Sequence, residues 1–194
     1  MIQLNKAYWN FRYDQQRTGW DTGSITTPLK EYFDQLTDRD LRILIPGAGN
    51  AYEAEYLISK GFKNVDVLDI SDRAISLFKS RVPDFPNDHI YNENFFDHRN
   101  TYDIIIEQTF FCALDPTFRK AYSKKCDDLL RPSGKVVGLL WNHEFGNPEP
   151  PFGGSMAEYL ELFSVHFKVD ILDLAYNSIK PRSGRELFIK LIKK

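Results

Sequence analysis

The sequence predicts an α/β fold on a mostly parallel sheet with antiparallel pairing at one edge. Three observations carry this. From Leu41 onward short apolar runs alternate with amphipathic stretches, the pattern of strands and crossover helices. A glycine turn joins the first apolar run directly to the first of those helices. The last third of the chain instead offers two strands joined by a polar connection containing Pro and Gly.

Element by element, Leu41–Pro46 (LRILIP) reads as a buried strand ended by Gly47-Ala48-Gly49, and Ala51–Lys60 as a helix with Ala54, Leu57 and Ile58 on its apolar face, stopped by Gly61. Val65–Ile70 is a second strand. Ser71 caps a helix through Arg81, closed by Pro83 and Pro86. His89–Tyr91 is a short third strand and Tyr102–Gln108 a fourth. Pro116–Leu130 makes a helix, Arg131-Pro132-Ser133-Gly134 a turn and Lys135–Trp141 a fifth strand. The Gly/Pro-rich loop Asn142–Gly154 then leaves the carboxyl end of that strand, where open α/β sheets hold ligands. A helix of about ten residues from Ser155 precedes strands Lys168–Tyr176 and Glu186–Ile192. Ahead of all these, Trp9, Tyr13 and Trp20 sit in a polar segment with Gly19 and Gly23. Residues 1–36 read as an arm or lid over the sheet that ends in a helix from Pro28 to Leu36.

The 194 residues, 42% of them hydrophobic, fit one domain over 1–194 with a packed core. Twenty-five Lys and Arg against 27 Asp and Glu leave a net charge of −2, so neither nucleic acid nor a membrane surface is an expected partner. No apolar run approaches the ~20 residues of a membrane helix. Two cysteines, Cys112 and Cys126, cannot frame a disulfide scaffold, and the start MIQLNKAYW lacks a secretory layout, so a cytoplasmic setting is expected. No sustained apolar seam argues for self-association; a monomer is expected. His89, His98, His143 and His166 fall at no metal-ligand spacing, and no metal is expected.

The strongest local signal is the strand, Gly47-Ala48-Gly49 turn and helix, followed 20 residues after Gly49 by Asp69 at the tip of the second strand. Such glycines admit close backbone approach to a ligand, and an acid at that distance suits ribose hydroxyls. A third glycine of a dinucleotide fingerprint would fall at Tyr52. Glu53, beside the helix N-terminus, would repel a pyrophosphate but suits a cationic amino-acid tail. These features favour S-adenosylmethionine, with its ammonium, ribose and sulfonium, over a nicotinamide dinucleotide.

The stretches Gly19-Trp20-Asp21-Thr22-Gly23 with Thr27-Pro28, Ile45–Gly49, Phe110–Pro116 with Arg119, and Pro150–Gly154 resemble the thiopurine S-methyltransferase family, and within it most the halide/thiol methyltransferase branch. The resemblance covers nearly the whole chain. It implies a seven-stranded Rossmann-like class I methyltransferase sheet with helices on both faces. It further implies in-line methyl transfer from S-adenosylmethionine to halide, hydrosulfide, thiocyanate or a small thiol, with thiopurine or another aromatic thiol as the alternative acceptor.

Residue by residue, the resemblance places Trp9, Tyr13 and Trp20 over the donor, Tyr13 standing where relatives carry tryptophan. It puts Gly47, with Gly49 and Glu53, at the amino-acid end and Asp69 at the ribose. Asn94 and Phe95 fall at the adenine, where Asp is usual in place of Asn94. Gln108 at the donor end replaces a tyrosine of the plant branch, and Trp141 stands where that branch has tyrosine. Arg119, Trp141, Gln108 and His143 are the acceptor-pocket candidates: Arg119 as an attractor for an anion, His143 as a base. Cys112, among Phe110, Phe111, Ala113 and Leu114, reads as structural because an apolar setting raises a thiol's pKa. A module that binds the donor without turning it over, its acceptor chemistry lost through Gln108 and Asn94, is the non-enzymatic alternative.

Overall fold

Seven strands form one sheet in the computed structural model, which describes residues 3–194. Met1 and Ile2 of the expected arm lie outside the described residues. The order in the chain is α1 (Lys6–Asp14), α2 (Thr27–Asp34), β1 (Arg42–Pro46), α3 (Tyr52–Ser59), β2 (Asn64–Leu68), α4 (Asp72–Arg81), β3 (Ile90–Tyr91), β4 (Tyr102–Gln108), α5 (Arg119–Leu129), β5 (Leu130–Trp141), α6 (Met156–Phe163), β6 (Phe167–Leu174) and β7 (Glu186–Lys193). Across the sheet the order is β3-β2-β1-β4-β5-β7-β6. The first five strands pair in parallel, while β7 runs antiparallel between β5 and β6, the expected edge hairpin. Leaving β3 at one edge, the chain returns to lay β4 beside β1. That reversal opens a crevice at the carboxyl ends of β1 and β4, the position where such sheets bind ligands.

Side-chain alternation feeds two cores. Ile43, Ile45, Val65, Val67, Ile104 and Ile106 face Leu29 and Phe33 of α2, Leu57 of α3 and Phe78 of α4. Leu44, Ile105, Val136, Leu140 and Ile189 face Tyr122 and Cys126 of α5 and Tyr159 and Phe163 of α6. With both faces covered, the central strands read as the near-continuous apolar runs seen in the sequence.

Three elements depart from the sequence reading. The arm contains a helix, α1, that no apolar stripe announced, since it buries no residue fully. It is held by polar contacts instead. Asn5 caps it by accepting from the Tyr8 amide at 3.1 Å, and the Asn10 side-chain oxygen accepts from Ser71 Oγ at 2.7 Å at the start of α4. Ion pairs Lys6–Asp72 and Arg73–Asp14 flank that bond. Secondly, the expected turn at 131–134 lies inside β5: Tyr102 pairs with Leu130 but Ile104 with Lys135, so the segment bulges, with Ser133 at φ +63°. Finally, the helix expected from Pro116 begins as a single tight turn over 116–118 and becomes α-helical only at Arg119. Among the described residues no helix is long and apolar enough to cross a membrane, and no group of three or more His, Cys, Asp or Glu could hold a metal ion.

Gly138 marks where β5 approaches β4 most closely: a Cβ there would lie 1.9 Å from the Glu107 carbonyl oxygen. Gly138→Ala is expected to lower unfolding free energy by about 2–3 kcal/mol, read from urea denaturation. A wild-type midpoint would mean the two strands can part at that point.

Candidate active site

β1 ends at Pro46, and the next turn needs backbone that ordinary residues avoid. Gly47 and Gly49 sit at φ +58° and +55°, and Ala51 at φ +50° hands over to α3. A side chain at Gly47 would also lie 2.2 Å from the Phe110 ring, which packs on the bare backbone. Asp69, one residue past β2, fixes this turn. Its Oδ2 accepts from the Gly49 amide at 2.9 Å and its Oδ1 from the Ser71 amide at 2.8 Å. Burial pushes its carboxyl up to about 6 despite those donors.

Beside the turn lies a crevice of about 50 Å³ lined by Gly47, Gly49, Glu53, Gln108, Thr109 and Trp20 among others. Glu53 is buried there and pushed up to about 7 by desolvation, and the Gln108 Oε1 has no hydrogen-bond partner. The crevice therefore offers carboxylate and amide oxygens, and no Lys or Arg lines it. That donor set fits an ammonium and rejects a phosphate.

Through Trp20, Gly47 and Thr109 the crevice adjoins a cavity of about 1000 Å³. It is lined by Trp9, Tyr13, Trp20, Asp69, Asn94 and Phe95, and also by Cys112, Leu114, Trp141, Phe145, Pro150 and Pro151, with Arg12, Arg182 and Arg185. Trp20 is the hinge of the aromatic group, edge-on to Trp9 at 5.6 Å and to Tyr13 at 5.8 Å. Arg182 fastens it from below, its Nη2 donating to the Trp20 carbonyl at 2.8 Å while its guanidinium lies 5.4 Å from the Trp141 ring centroid. Arg12 stacks over Trp20 at 5.3 Å and donates to Tyr8 Oη at 2.8 Å. Tyr8 in turn donates to Glu149 at 3.2 Å, so the arm is tied to the 142–154 loop.

The structure thus brings Trp9, Tyr13, Trp20, Gly47, Gly49, Glu53, Asp69, Asn94, Phe95, Gln108 and Trp141 around two adjoining spaces. Two expected contributors stand apart. Arg119 is buried, paired with Glu158 and donating to the Gly153 carbonyl at 2.5 Å; it clamps the 142–154 loop to α6 and does not line the cavity. His143 lies outside the cavity wall, packed edge-on against Phe145 at 4.9 Å. Asn94 also differs in detail, because its side-chain oxygen accepts from the Phe96 amide at 3.0 Å, leaving the NH₂ as the group free to meet a ligand. Cys112 lines the cavity with its thiol pushed up to about 12 by burial, so it stays protonated and unreactive. The guanidinium groups at the cavity missed by the sequence reading are Arg12, Arg182 and Arg185. The signal for the last two was three basic residues, Lys180, Arg182 and Arg185, in the connection that returns the chain to β7 beside Trp141.

The thiopurine S-methyltransferase family model matches residues 4–187. The chain belongs to the thiopurine S-methyltransferase family. It is accordingly an S-adenosylmethionine-dependent methyltransferase, with S-adenosylmethionine as cofactor, and a crevice that holds the Glu53 carboxyl and no Lys or Arg among the described residues, beside an aromatic-walled cavity, fits that donor. Two Arabidopsis thaliana relatives are the probable thiol methyltransferase 2, 26% identical over 193 residues (96% of this chain, 84% of that one), and thiocyanate methyltransferase 1, 27% identical over 192 residues (94% and 83%). A Francisella tularensis thiopurine S-methyltransferase is 23% identical over 190 residues (87% and 84%). The fold matches that of the Burkholderia thailandensis 1,6-didemethyltoxoflavin-N1-methyltransferase, solved with S-adenosylhomocysteine, at TM-score 0.75, 16% identity and 97% and 87% coverage. It is the seven-stranded Rossmann-like class I fold that the family implies.

Gly47→Ala should weaken donor binding at least tenfold by titration calorimetry, since the new methyl group displaces Phe110 and strains the turn. Unchanged affinity would mean that the donor does not depend on this turn.

Proposed function

We propose that this enzyme methylates a small soft nucleophile, a halide, hydrosulfide, thiocyanate or small thiol, in the part of the cavity bounded by Cys112, Trp141, Phe145 and Arg182. One observation carries the reading: the oxygen-lined crevice and the apolar, arginine-edged chamber meet at Trp20. The names of the plant relatives, thiol and thiocyanate methyltransferases aligned over 94–96% of the chain, support it. The cofactor supplies an electrophilic methyl group on a sulfonium. Everything else falls to the chain. Glu53 pairs with the ammonium, Asp69 accepts from ribose hydroxyls with the lone pairs its two amide donors leave free, and the Asn94 NH₂ and Phe95 meet the adenine. Trp9, Tyr13 and Trp20, within the arm over the sheet, present ring faces to the cation, and Gln108 closes the donor end.

Arg185 draws in an anion, Arg182 being paired with Glu186 at 3.2 Å, while Phe145, Pro150 and Pro151 offer it no replacement for its hydration shell. A poorly hydrated anion held against the donor needs no covalent intermediate and no strong base. A thiol with pKa near ~8.5 needs only the nearby positive charge to ionise. Neither Arg119 nor His143 is asked to take part. The near-balanced net charge and the two free buried cysteines support a cytoplasmic enzyme of small molecules. Ligand pockets run about 300–1,000 Å³, so a cavity of about 1000 Å³ also leaves room for a larger aromatic thiol, a thiopurine included.

Labelled-methyl transfer to iodide, hydrosulfide, thiocyanate, thiophenol and a thiopurine tests the reading. Turnover is expected with the small nucleophiles; turnover of the aromatic thiols alone would shift the acceptor class, and silence throughout, alongside donor binding, would leave only a donor-binding module. Donor affinity is expected to fall as the pH drops from 8 to 5. Glu53 and Asp69, raised to about 7 and about 6, then take up protons and lose the charge that binds. Asp69→Asn should flatten the lower part of that profile, and Trp20→Ala should cost about tenfold in affinity by removing a cation–π face; calorimetry at several pH values reads both.

A further inference from the structure

Glu107, the penultimate residue of β4, is a buried carboxylate used by neither donor nor acceptor in the reading above. Its Oε1 accepts from the Phe110 and Phe111 amides at 2.8 and 2.9 Å, and its Oε2 accepts from the Tyr122 hydroxyl of α5 at 2.6 Å. Among the described residues no Lys, Arg or His pairs with it. An uncompensated buried charge is costly, and three convergent donors are what make it tolerable.

The segment it grips is the wall common to both halves of the cavity. At one end the Phe110 ring lies against Gly47 in the donor turn and 5.2 Å from Phe95. At the other, Cys112 and Leu114 line the acceptor chamber, and the Cys112 carbonyl accepts from the Phe152 amide at 2.8 Å, setting the loop that carries Pro150 and Pro151. We propose that Glu107 is a positioning residue for methyl transfer, whose ionised carboxylate holds residues 109–114 so that the donor turn and the acceptor chamber stay in register. This rests on the methyltransferase reading of the same cavity.

The carboxylate is a charge-assisted acceptor only while ionised. Burial pushes its carboxyl up to about 7, with the Tyr122 hydroxyl and the two amides pulling the other way. The other titratable groups facing it are Tyr122 and Cys126 of α5 and Cys112 of the segment itself, all raised by burial and protonated across the neutral range. From β5 it meets Gly138, which brings no charge. A proton on Glu107 leaves the Phe110 and Phe111 amides facing a weaker acceptor, and the wall loosens.

Two readouts test this. In the donor-free protein, the Phe110 and Phe111 amide resonances should titrate together near pH 7 in ¹⁵N–¹H spectra, and Glu107→Gln should abolish that titration. With thiocyanate as acceptor, which does not itself titrate over this range, kcat at saturating donor should fall severalfold from pH 8 to 6. In Glu107→Gln it should stay low and flat, with donor affinity changed less than threefold. Tyr122→Phe removes one hydrogen bond that favours the charged form, so both inflections should move to higher pH. Amides that do not titrate, or a Gln variant with wild-type kcat and pH profile, or an inflection unmoved by Tyr122→Phe, would overturn the assignment. Should no acceptor be methylated by the wild-type protein, the methyltransferase reading fails instead, while the amide titration still reports on the Glu107 contact.

Discussion

The carboxylate of Asp69 is the constraint on which the site depends. It accepts from Gly49 after β1 and from Ser71 before α4, and so ties the carboxyl tips of β1 and β2, beside the β1–β4 boundary where the sheet reverses its order. The same carboxylate is raised toward neutrality by the burial that makes it useful. A group in water would hold its charge easily but would bind a hydroxyl no better than solvent does. Here it has only two amides and whatever ligand arrives.

The rest of the site follows the same economy of charge. Glu53, Asp69 and Glu107 are all buried acids with raised pKa values, and among the described residues none has a cation in hydrogen-bonding contact. The arginines at the cavity cluster on Trp20 and Trp141: Arg12 over Trp20, Arg182 bonded to the Trp20 carbonyl and near the Trp141 ring, Arg185 over Trp141. Acids and guanidinium groups thus share one space with aromatic rings among them, and Arg182 is near enough to Glu53 to favour its charged form.

Much of this was legible in the sequence because it is local. The turn glycines and Asp69 lie 20 residues apart, and the strand and helix between them leave little freedom in where they meet. The antiparallel edge hairpin was equally readable from two apolar runs and a short connection. What escaped depends on partners distant in the chain. The family resemblance made Arg119 an acceptor-pocket candidate, but nothing local said that Glu158 and the Gly153 carbonyl would occupy its guanidinium. Arg182 was hidden for the same reason, 162 residues from the Trp20 carbonyl it holds. The helix α1 went unread because its stability comes from Asn10, Lys6 and Asp14 docking on α4, and polar docking leaves no hydrophobic period to detect. The bulge at 131–134 carries ordinary turn residues, and only the pairing of β4 with β5 decides that they interrupt a strand.

The helix that escaped the sequence reading, α1, also joins two parts of the cavity lining. Arg12 lies over Trp20 and bonds Tyr8, and Tyr8 bonds Glu149 in the loop that bears Pro150 and Pro151. Trp20 and the 142–154 loop therefore share one polar fastening. Its contacts are only part-buried, with Glu149 half-exposed, so they contribute little to stability and can be made and broken cheaply. The core beneath belongs to the rigid end of the structure: the buried faces of β1 and β4 and the Glu107 contacts have no such exposure. The Glu107 contacts are thus buried, while the contacts that join Tyr8, Arg12 and Glu149 are part-exposed to solvent.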